Sequence, residues 1–414
     1  MRIGDVRDKR GPAERDIRFA YSRILSSAPD NHEGELFMQT LRLVLAVAVS
    51  LALAPYAAAQ ESVRIGVVQP TTGPVAYDGN IYVNTVKMLV DDMNAKGGVL
   101  GRKIELVVED GACNPAQSVN AAEKLVVRDK VVALLGAFCS TSTAAVMEVA
   151  KKHKVPLITG ISTAAQLTEQ GNPYFFRAVA TTPMLGNAFG GVLPKAVKAK
   201  RFAFLVLNDD WGRSMAASYP KTIENAGGQV VATEFFQQSD LQFLSQITKV
   251  KAANPDAIVL AANTQQAVAL SKQIRELGIS VPLIGEGAWT SDSYIKLAGP
   301  ASEDVYGLVE YVYTIKSPIN EAFVKAFQAK LKENPSKFAG AAHNAISIMV
   351  DAIRRAGAAD PEKIRDALEK TDYNGIVGNI RFDAKHQAYG QTVYLAHVKN
   401  GVPEVVETAQ IAKP

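Results

Sequence analysis

Two short segments hold the side chains best suited to chemistry. GAFCSTSTAAV (136–146) and PLITGISTAAQLT (156–168) each follow an apolar run and lead into a helical stretch, so their hydroxyls and backbone N–H groups converge at the start of a helix. The positive end of a helix dipole holds a carboxylate or phosphate without needing a lysine. Ligands of open α/β sheets bind outside the carboxyl ends of the strands, so Ser140 in the first loop and Ser162 and Thr163 in the second make an anion clamp. Taken singly, each loop also reads as an ordinary N-cap cluster.

Other chemistries lack their residues. No Walker-type glycine loop and no GxGxxG are present, and His32, His153, His343, His386 and His397 are scattered without metal-ligand spacing. No metal site, no cofactor and no catalytic triad are therefore expected. An exported enzyme using Cys139 or Ser140 as nucleophile at a strand-to-helix turn is the competing class, but GxSxG is absent and no histidine lies nearby in sequence.

The elements that must position these loops alternate. VRIGVV (63–68), IELVV (104–108), VVALL (131–135) and VPLI (155–158) read as buried strands separated by helices, the pattern of β-α-β units on a parallel sheet. The first helix is expected over about 80–95, with Tyr82, Val86, Leu89, Val90 and Met93 on one face and Gly97-Gly98 ending it. Pro115 opens a second, and Ser140 to Ser142 offer caps for a third. After Arg177 a second series follows: strands 202–207, 229–235, 257–260 and 281–285, with helices near 212–226, 239–252 and 264–277. Leu241, Leu244 and Ile247 keep helical spacing in the second of those helices. Helical stretches at 319–333, 338–356 and 361–370, then strands GNIRF (378–382) and TVYLAHV (392–398), make a tail that can pack on the first lobe and cross again to the second.

Met38 to Gln60 (MQTLRLVLAVAVSLALAPYAAAQ) reads as a secretory signal peptide, with Arg42, an apolar run from Leu43 to Pro55, and the small residues Ala57 and Ala59 before the cut. That run is shorter than the roughly 20 residues that span a bilayer. Residues 1–37 read as a mis-assigned start or disordered extension, and 38–59 as the leader. A formal net charge of +4 over 414 residues argues against a nucleic-acid partner. The even count of two cysteines, Cys113 and Cys139, in an exported chain is the usual sign of one disulfide. Closing that loop would stabilise the fold by roughly 3.5 kcal/mol on a chain-entropy estimate.

Over about 63–400 the chain resembles the periplasmic type I substrate-binding proteins of ABC importers, in particular the branched-chain amino-acid (leucine-binding) family. The resemblance runs through TTGPVAYDG (71–79), DDMNAKGGVLGRKIELVVED (91–110), GACNPAQSV (111–119), GAFCSTST (136–143), STAAQLTEQGNPYFFRA (162–178) and NDDWG (208–212), in this order and spacing. It implies an α/β fold of two Rossmann-like lobes (periplasmic binding protein type I) joined by a three-crossover hinge, closing on a ligand between them. Lobe 1 would be 60–179 with 311–388, and lobe 2 would be 180–310 with 389–414. A disulfide between Cys113 and Cys139 is also implied, in agreement with the cysteine count.

Carried across residue by residue, the resemblance gives the ligand carboxylate to the Ser140 and Thr163 hydroxyls and nearby N–H groups, and leaves the Ser162 carbonyl for an amino group. Phe138 and Cys139 would line the same wall. Trp211 and Asn263 match second-lobe ligand positions, Trp211 stacking on the ligand; a core tryptophan is its structural alternative. The family acid that pairs with a ligand ammonium is displaced here, because GEGAW (285–289) puts Glu286 one residue early and Gly287 at the expected place. The first-lobe position usually aromatic is Asp78, with Tyr77 beside it.

A buried ammonium without a carboxylate is costly, so the ligand turns on whether Glu286 or Asp78 faces the cleft. If neither does, an amino-free acid is favoured, and Tyr77, Trp211 and Trp289 would suit a flat ring. The implied role is non-enzymatic: a periplasmic monomer that delivers a small carboxylate, an amino acid or organic acid, to an inner-membrane ABC permease and its ATPase. A ligand-sensing receptor component on the same fold is the remaining alternative.

Overall fold

In the computed structural model the described residues are 61–413, so the expected leader and the extension before it lie outside them. Strands β1 (Val63–Gln69), β2 (Ile104–Asp110), β3 (Ala133–Gly136), β4 (Leu157–Thr159) and β5 (Phe175–Arg177) form an all-parallel sheet in the order β2-β1-β3-β4-β5. Their apolar composition suits a sheet covered on both faces. Helices α1 (Ala76–Ala95), α2 (Pro115–Glu123), α3 (Ser140–His153) and the short α4 (Gln166–Glu169) fill the connections. Helix α1 starts four residues earlier than its apolar spacing predicts, and it buries Tyr82, Val86 and Val90 while Leu89 and Met93 are only partly covered.

The capping of these helices departs from expectation at one place. Asn114 caps α2 by accepting from the Gln117 N–H, with Pro115 in the first turn. In α3, however, Ser140 is already helical, Cys139 is the N-cap, and no side chain caps the first turn. Ser142 is buried inside that turn instead of capping it.

After α5 (Thr182–Phe189) and α6 (Leu193–Ala196) comes a second α/β series: β6 (Arg201–Leu207), α7 (Asp210–Asn225), β7 (Gln229–Phe236), α8 (Leu244–Ala252), β8 (Ala257–Ala262), α9 (Thr264–Glu276), β9 (Leu283–Gly287), α10 (Asp292–Ala298) and β10 (Val305–Val309). Helix α8 begins later than expected: Phe243 is the buried residue at its start, while Leu241 and Leu244 are exposed. The chain then forms α11 (Pro318–Leu331), α12 (Lys337–Ala356), α13 (Pro361–Glu369), β11 (Asp372–Gly375), β12 (Gly378–Phe382), β13 (Ala388–Lys399) and β14 (Val402–Gln410). The second sheet has the order β11-β12-β13-β10-β9-β8-β6-β7, with β14 also paired to β13.

Two lobes result, each with its own apolar core. In the first, Ile65 and Val67 of β1 pack with Tyr82 and Val86 of α1 and with Ile346 and Ile353 of α12. In the second, Phe202, Phe204 and Val206 of β6 pack with Met215 and Tyr219 of α7. The chain passes between lobes after β5, after β10 and along β13. Strand β13 shows how: Tyr389 pairs with Arg381 of β12, whereas Leu395 pairs with Leu308 of β10 and Glu407 of β14. Arg177, fully buried at the end of β5, fastens this junction by donating from Nε to Gln387 Oε1 at 2.6 Å.

Cys113 and Cys139 form a disulfide with their Cα atoms 5.5 Å apart. It ties the loop after β2 to the N-cap of α3, and it leaves Cys139 no thiolate for nucleophilic chemistry. Among the described residues no helix is long and apolar enough to cross a membrane.

Candidate functional site

A cleft opens between the lobes, and its walls come from the carboxyl ends of parallel strands. Phe138, Cys139 and Ser140 follow β3; Ile161, Ser162 and Thr163 follow β4. From the second lobe come Asp209 and Trp211 after β6, Ala262 and Asn263 at the end of β8, and Gly287 closing β9. Lys337 and Phe338, the first two residues of α12, complete the lining.

The hydroxyl loops interlock. Ser140 Oγ accepts from the Ala164 N–H at 3.3 Å, and Thr163 Oγ1 lies 3.0 Å from the Thr182 hydroxyl oxygen. The Ser162 hydroxyl turns inward to Thr143 Oγ1 at 2.6 Å and to the Phe138 carbonyl at 3.1 Å, so it supports the loop rather than facing a ligand. What this corner offers an anion is the uncapped first turn of the 14-residue α3 together with the Ser140 and Thr163 hydroxyls.

Trp211 is held in place rather than buried as a core residue. Its Nε1 donates to Glu286 Oε2 at 2.8 Å, and Gly212 lets α7 start hard against β6, since a Cβ there would lie 1.9 Å from the Leu207 carbonyl oxygen. Asp209 caps α7 by accepting from the Gly212 N–H at 2.9 Å. Its partial burial pushes its carboxyl up to about 6.

Seven of the ten residues expected at the site, Phe138, Cys139, Ser140, Ser162, Thr163, Trp211 and Asn263, line this cleft. Three do not. Tyr77 is half exposed, with its hydroxyl 3.3 Å from Glu333 Oε2, and it is not part of the lining. Asp78, fully buried, accepts from Thr264 Oγ1 at 2.6 Å and from the Thr264 N–H at 3.3 Å. It thus acts as a cap on α9 from the opposite lobe, where Asn263 makes no side-chain cap bond. Burial raises its carboxyl to about 6 against the opposing pull of the Thr264 donors.

Glu286 is the third. Strand alternation turns it away from the cleft that Gly287 faces, and it accepts from Trp211 Nε1, from the Thr182 hydroxyl at 3.0 Å and from the Tyr219 hydroxyl. Burial raises its carboxyl, and those donors only partly offset the shift. Gly287 cannot supply the missing acid: its φ is +111° and a Cβ would sit 3.0 Å from the Ala262 carbonyl oxygen and 3.3 Å from the Trp211 ring. Trp289, offered above as a flat-ring partner, is completely buried and donates to the Glu286 carbonyl at 2.8 Å.

Asp209, Lys337 and Phe338 are lining residues the sequence reading did not single out. Asp209 stood inside the quoted NDDWG motif and was legible as an N-cap. Lys337 begins an otherwise apolar run, and nothing local distinguishes it from a solvated helix end.

A family described as "Periplasmic binding protein" matches residues 62–403. A "Leucine-, isoleucine-, valine-, threonine-, and alanine-binding protein" of Pseudomonas aeruginosa is 30% identical over 86% of this chain and 95% of its own length. Among solved structures, the branched-chain amino acid transporter substrate binding protein LivJ from Streptococcus pneumoniae, in complex with isoleucine, is 29% identical with a TM-score of 0.77, covering 86% of this chain and all 100% of its own. A solute binding protein of an R. palustris ABC transporter, in complex with benzoate, shares the fold at 22% identity and a TM-score of 0.78, over 85% of this chain and 98% of its own. With a family match across nearly all of the described residues and a relative at 30% identity, the chain belongs to the periplasmic binding protein family.

Proposed function

We propose that this protein is the solute-binding component of an ABC importer: it captures a small carboxylate between its lobes in the periplasm and presents it to an inner-membrane permease. The observation that carries the reading is the uncapped first turn of α3 opening on the cleft beside Ser140 and Thr163. Backbone N–H groups and hydroxyls there solvate a carboxylate at the positive end of a helix. The Ser140 and Thr163 walls and the Trp211 and Asn263 walls lie on different lobes, so a ligand held by both favours the form in which the lobes meet. The permease would then read that closed form.

Branched-chain or related amino acids are the first ligand class, supported by what the P. aeruginosa and S. pneumoniae relatives bind. Asp209 is the carboxylate available in the lining for an ammonium. The second reading is an amino-free acid. It is favoured by one geometric fact: Glu286 and Asp78, neither of them in the lining, spend their oxygens on protein donors, and Gly287 has no room for an acid.

A thermal-shift screen of refolded protein tests both, because a ligand that binds only the folded state raises Tm. Leucine, isoleucine and valine should raise it on the first reading, and aliphatic, aromatic and keto acids alone on the second. No shift with any carboxylate would overturn the function.

A further inference from the structure

Lys337 is placed against two local rules. It is the first residue of the 20-residue helix α12, where the dipole favours acids and disfavours a cation, and it is only 9% exposed. Burying an ammonium is costly unless it is paired and hydrogen-bonded. Its ion-pair partner is Glu310, at 3.0 Å between Nζ and Oε2, just past the end of β10. An ammonium carries three donors, and this contact uses one.

The other buried acids nearby do not take the remaining donors. Asp78 spends its oxygens on Thr264, and Glu286 spends its own on Trp211, Thr182 and Tyr219. Lys337 nonetheless lines the cleft, next to Phe338. Phe338 pairs with Phe138 at 5.0 Å between ring centroids, and Phe138 adjoins the hydroxyl loop. Apolar surface therefore adjoins both sets of donors, as a ligand with an apolar middle and two polar ends would need.

We propose that Lys337 is a second anchor for the ligand, and that the ligand is an acid carrying a further oxygen acceptor, whether a second carboxylate, an oxo or a phenolic oxygen. The inference rests on the reading of the cleft as a carboxylate site and narrows it, away from the branched-chain amino acids and toward acids with a polar far end. One end of the ligand meets the first turn of α3, and the acceptor at the other end takes the free Lys337 donors. Charge complementarity at a buried ammonium then discriminates against ligands whose far end is purely aliphatic.

The test is titration calorimetry on the refolded protein with matched pairs that differ only in an acceptor at the end remote from the carboxylate: pentanoate and glutarate, benzoate and 4-hydroxybenzoate, pentanoate and 4-oxopentanoate. Leucine and glutamate extend the comparison to amino acids. Lys337→Met alone leaves Glu310 buried without a cation, so the Lys337→Met/Glu310→Gln double variant is measured beside it. In at least one pair the member with the second acceptor should bind ten-fold or more tightly to the native protein, and the double variant should bring the pair within two-fold. Equal binding within every pair, or an advantage that survives the double variant, overturns the inference alone. So does an equal loss for both members, because Lys337 would then serve the shared carboxylate. Failure of every acid to bind a protein that circular dichroism shows folded overturns it together with the carboxylate reading.

Discussion

Asp78 and Thr264 stand 186 residues apart in the chain, yet the carboxylate of one accepts both the hydroxyl and the backbone N–H of the other. Asp78 belongs to α1 of the first lobe, and Thr264 opens α9 of the second. A helix terminus in one lobe is thus capped by an acid from the other, and the contact lasts only while the lobes are together.

The pH dependence of that contact follows from its burial. The Asp78 carboxyl is raised from an ordinary 3.8 to about 6, so the closed form binds the proton more tightly than a form with Asp78 in water. Stability gained from this group is present below about pH 4 and is lost as pH rises through 6, amounting to on the order of 3 kcal/mol. Asp209 and Glu286 are raised too and act in the same direction. Asp78→Asn should therefore flatten, without abolishing, the fall of Tm between pH 4 and 7, and should leave the protein at least as stable as native at pH 7. Asp78→Ala should cost about 1–3 kcal/mol by stranding the Thr264 donors. A Tm profile for Asp78→Asn parallel to the native one would remove the assignment.

The hydroxyl loops predict a separation of binding from stability. Thr163→Ala leaves the Thr182 hydroxyl still bonded to Glu286, and Ser140→Ala frees one long contact to the Ala164 N–H. Each variant should fold with Tm within a few degrees of native while ligand affinity falls by about 1–3 kcal/mol, read by calorimetry. Unchanged affinity in both would show that the carboxylate is held elsewhere.

Glu286 can be asked directly whether it meets a ligand ammonium. A Gln side chain accepts through one oxygen, so Glu286→Gln leaves some of the Trp211, Tyr219 and Thr182 donors short and should destabilise by about 1–3 kcal/mol. Because Glu286 supports Trp211 from behind, the preference between amino acids and their amino-free analogues should not change. A variant that loses leucine but keeps 4-methylpentanoate would place the carboxylate in the cleft after all.

Much of this architecture was legible from periodicity. GNIRF is strand β12 residue for residue, and the two hydroxyl loops follow strand ends as their sequences indicate. Less legible was whatever depends on partners distant in the chain. VYGLV (305–309) is a buried strand that only its pairing with β9 and β13 reveals, and β14 is exposed along most of its length and lacks an apolar alternation. At the site, position along a motif was readable but facing was not. The one-residue displacement of Glu286 turned it out of the cleft, as alternation along a strand requires, whereas the roles of Asp78 and Lys337 depend on Thr264 and Glu310 in remote segments. Local sequence carries no record of those pairings.

The disulfide yields the last prediction. It joins Cys113, in the loop after β2, to Cys139, which lines the cleft and stands at the N-cap position of α3, so it holds the helix terminus that the carboxylate would meet. Native protein denatured without reductant should show no reactive thiol. Replacing both cysteines by Ala should cost about 3.5 kcal/mol from the unfolded chain's regained freedom, a fall in Tm of about 5 °C. Affinity should fall as well, because the first turn of α3 must be ordered by the ligand rather than in advance of it. Two thiols in the denatured native protein would remove the bond, and a Tm loss with unchanged affinity would confine its role to stability.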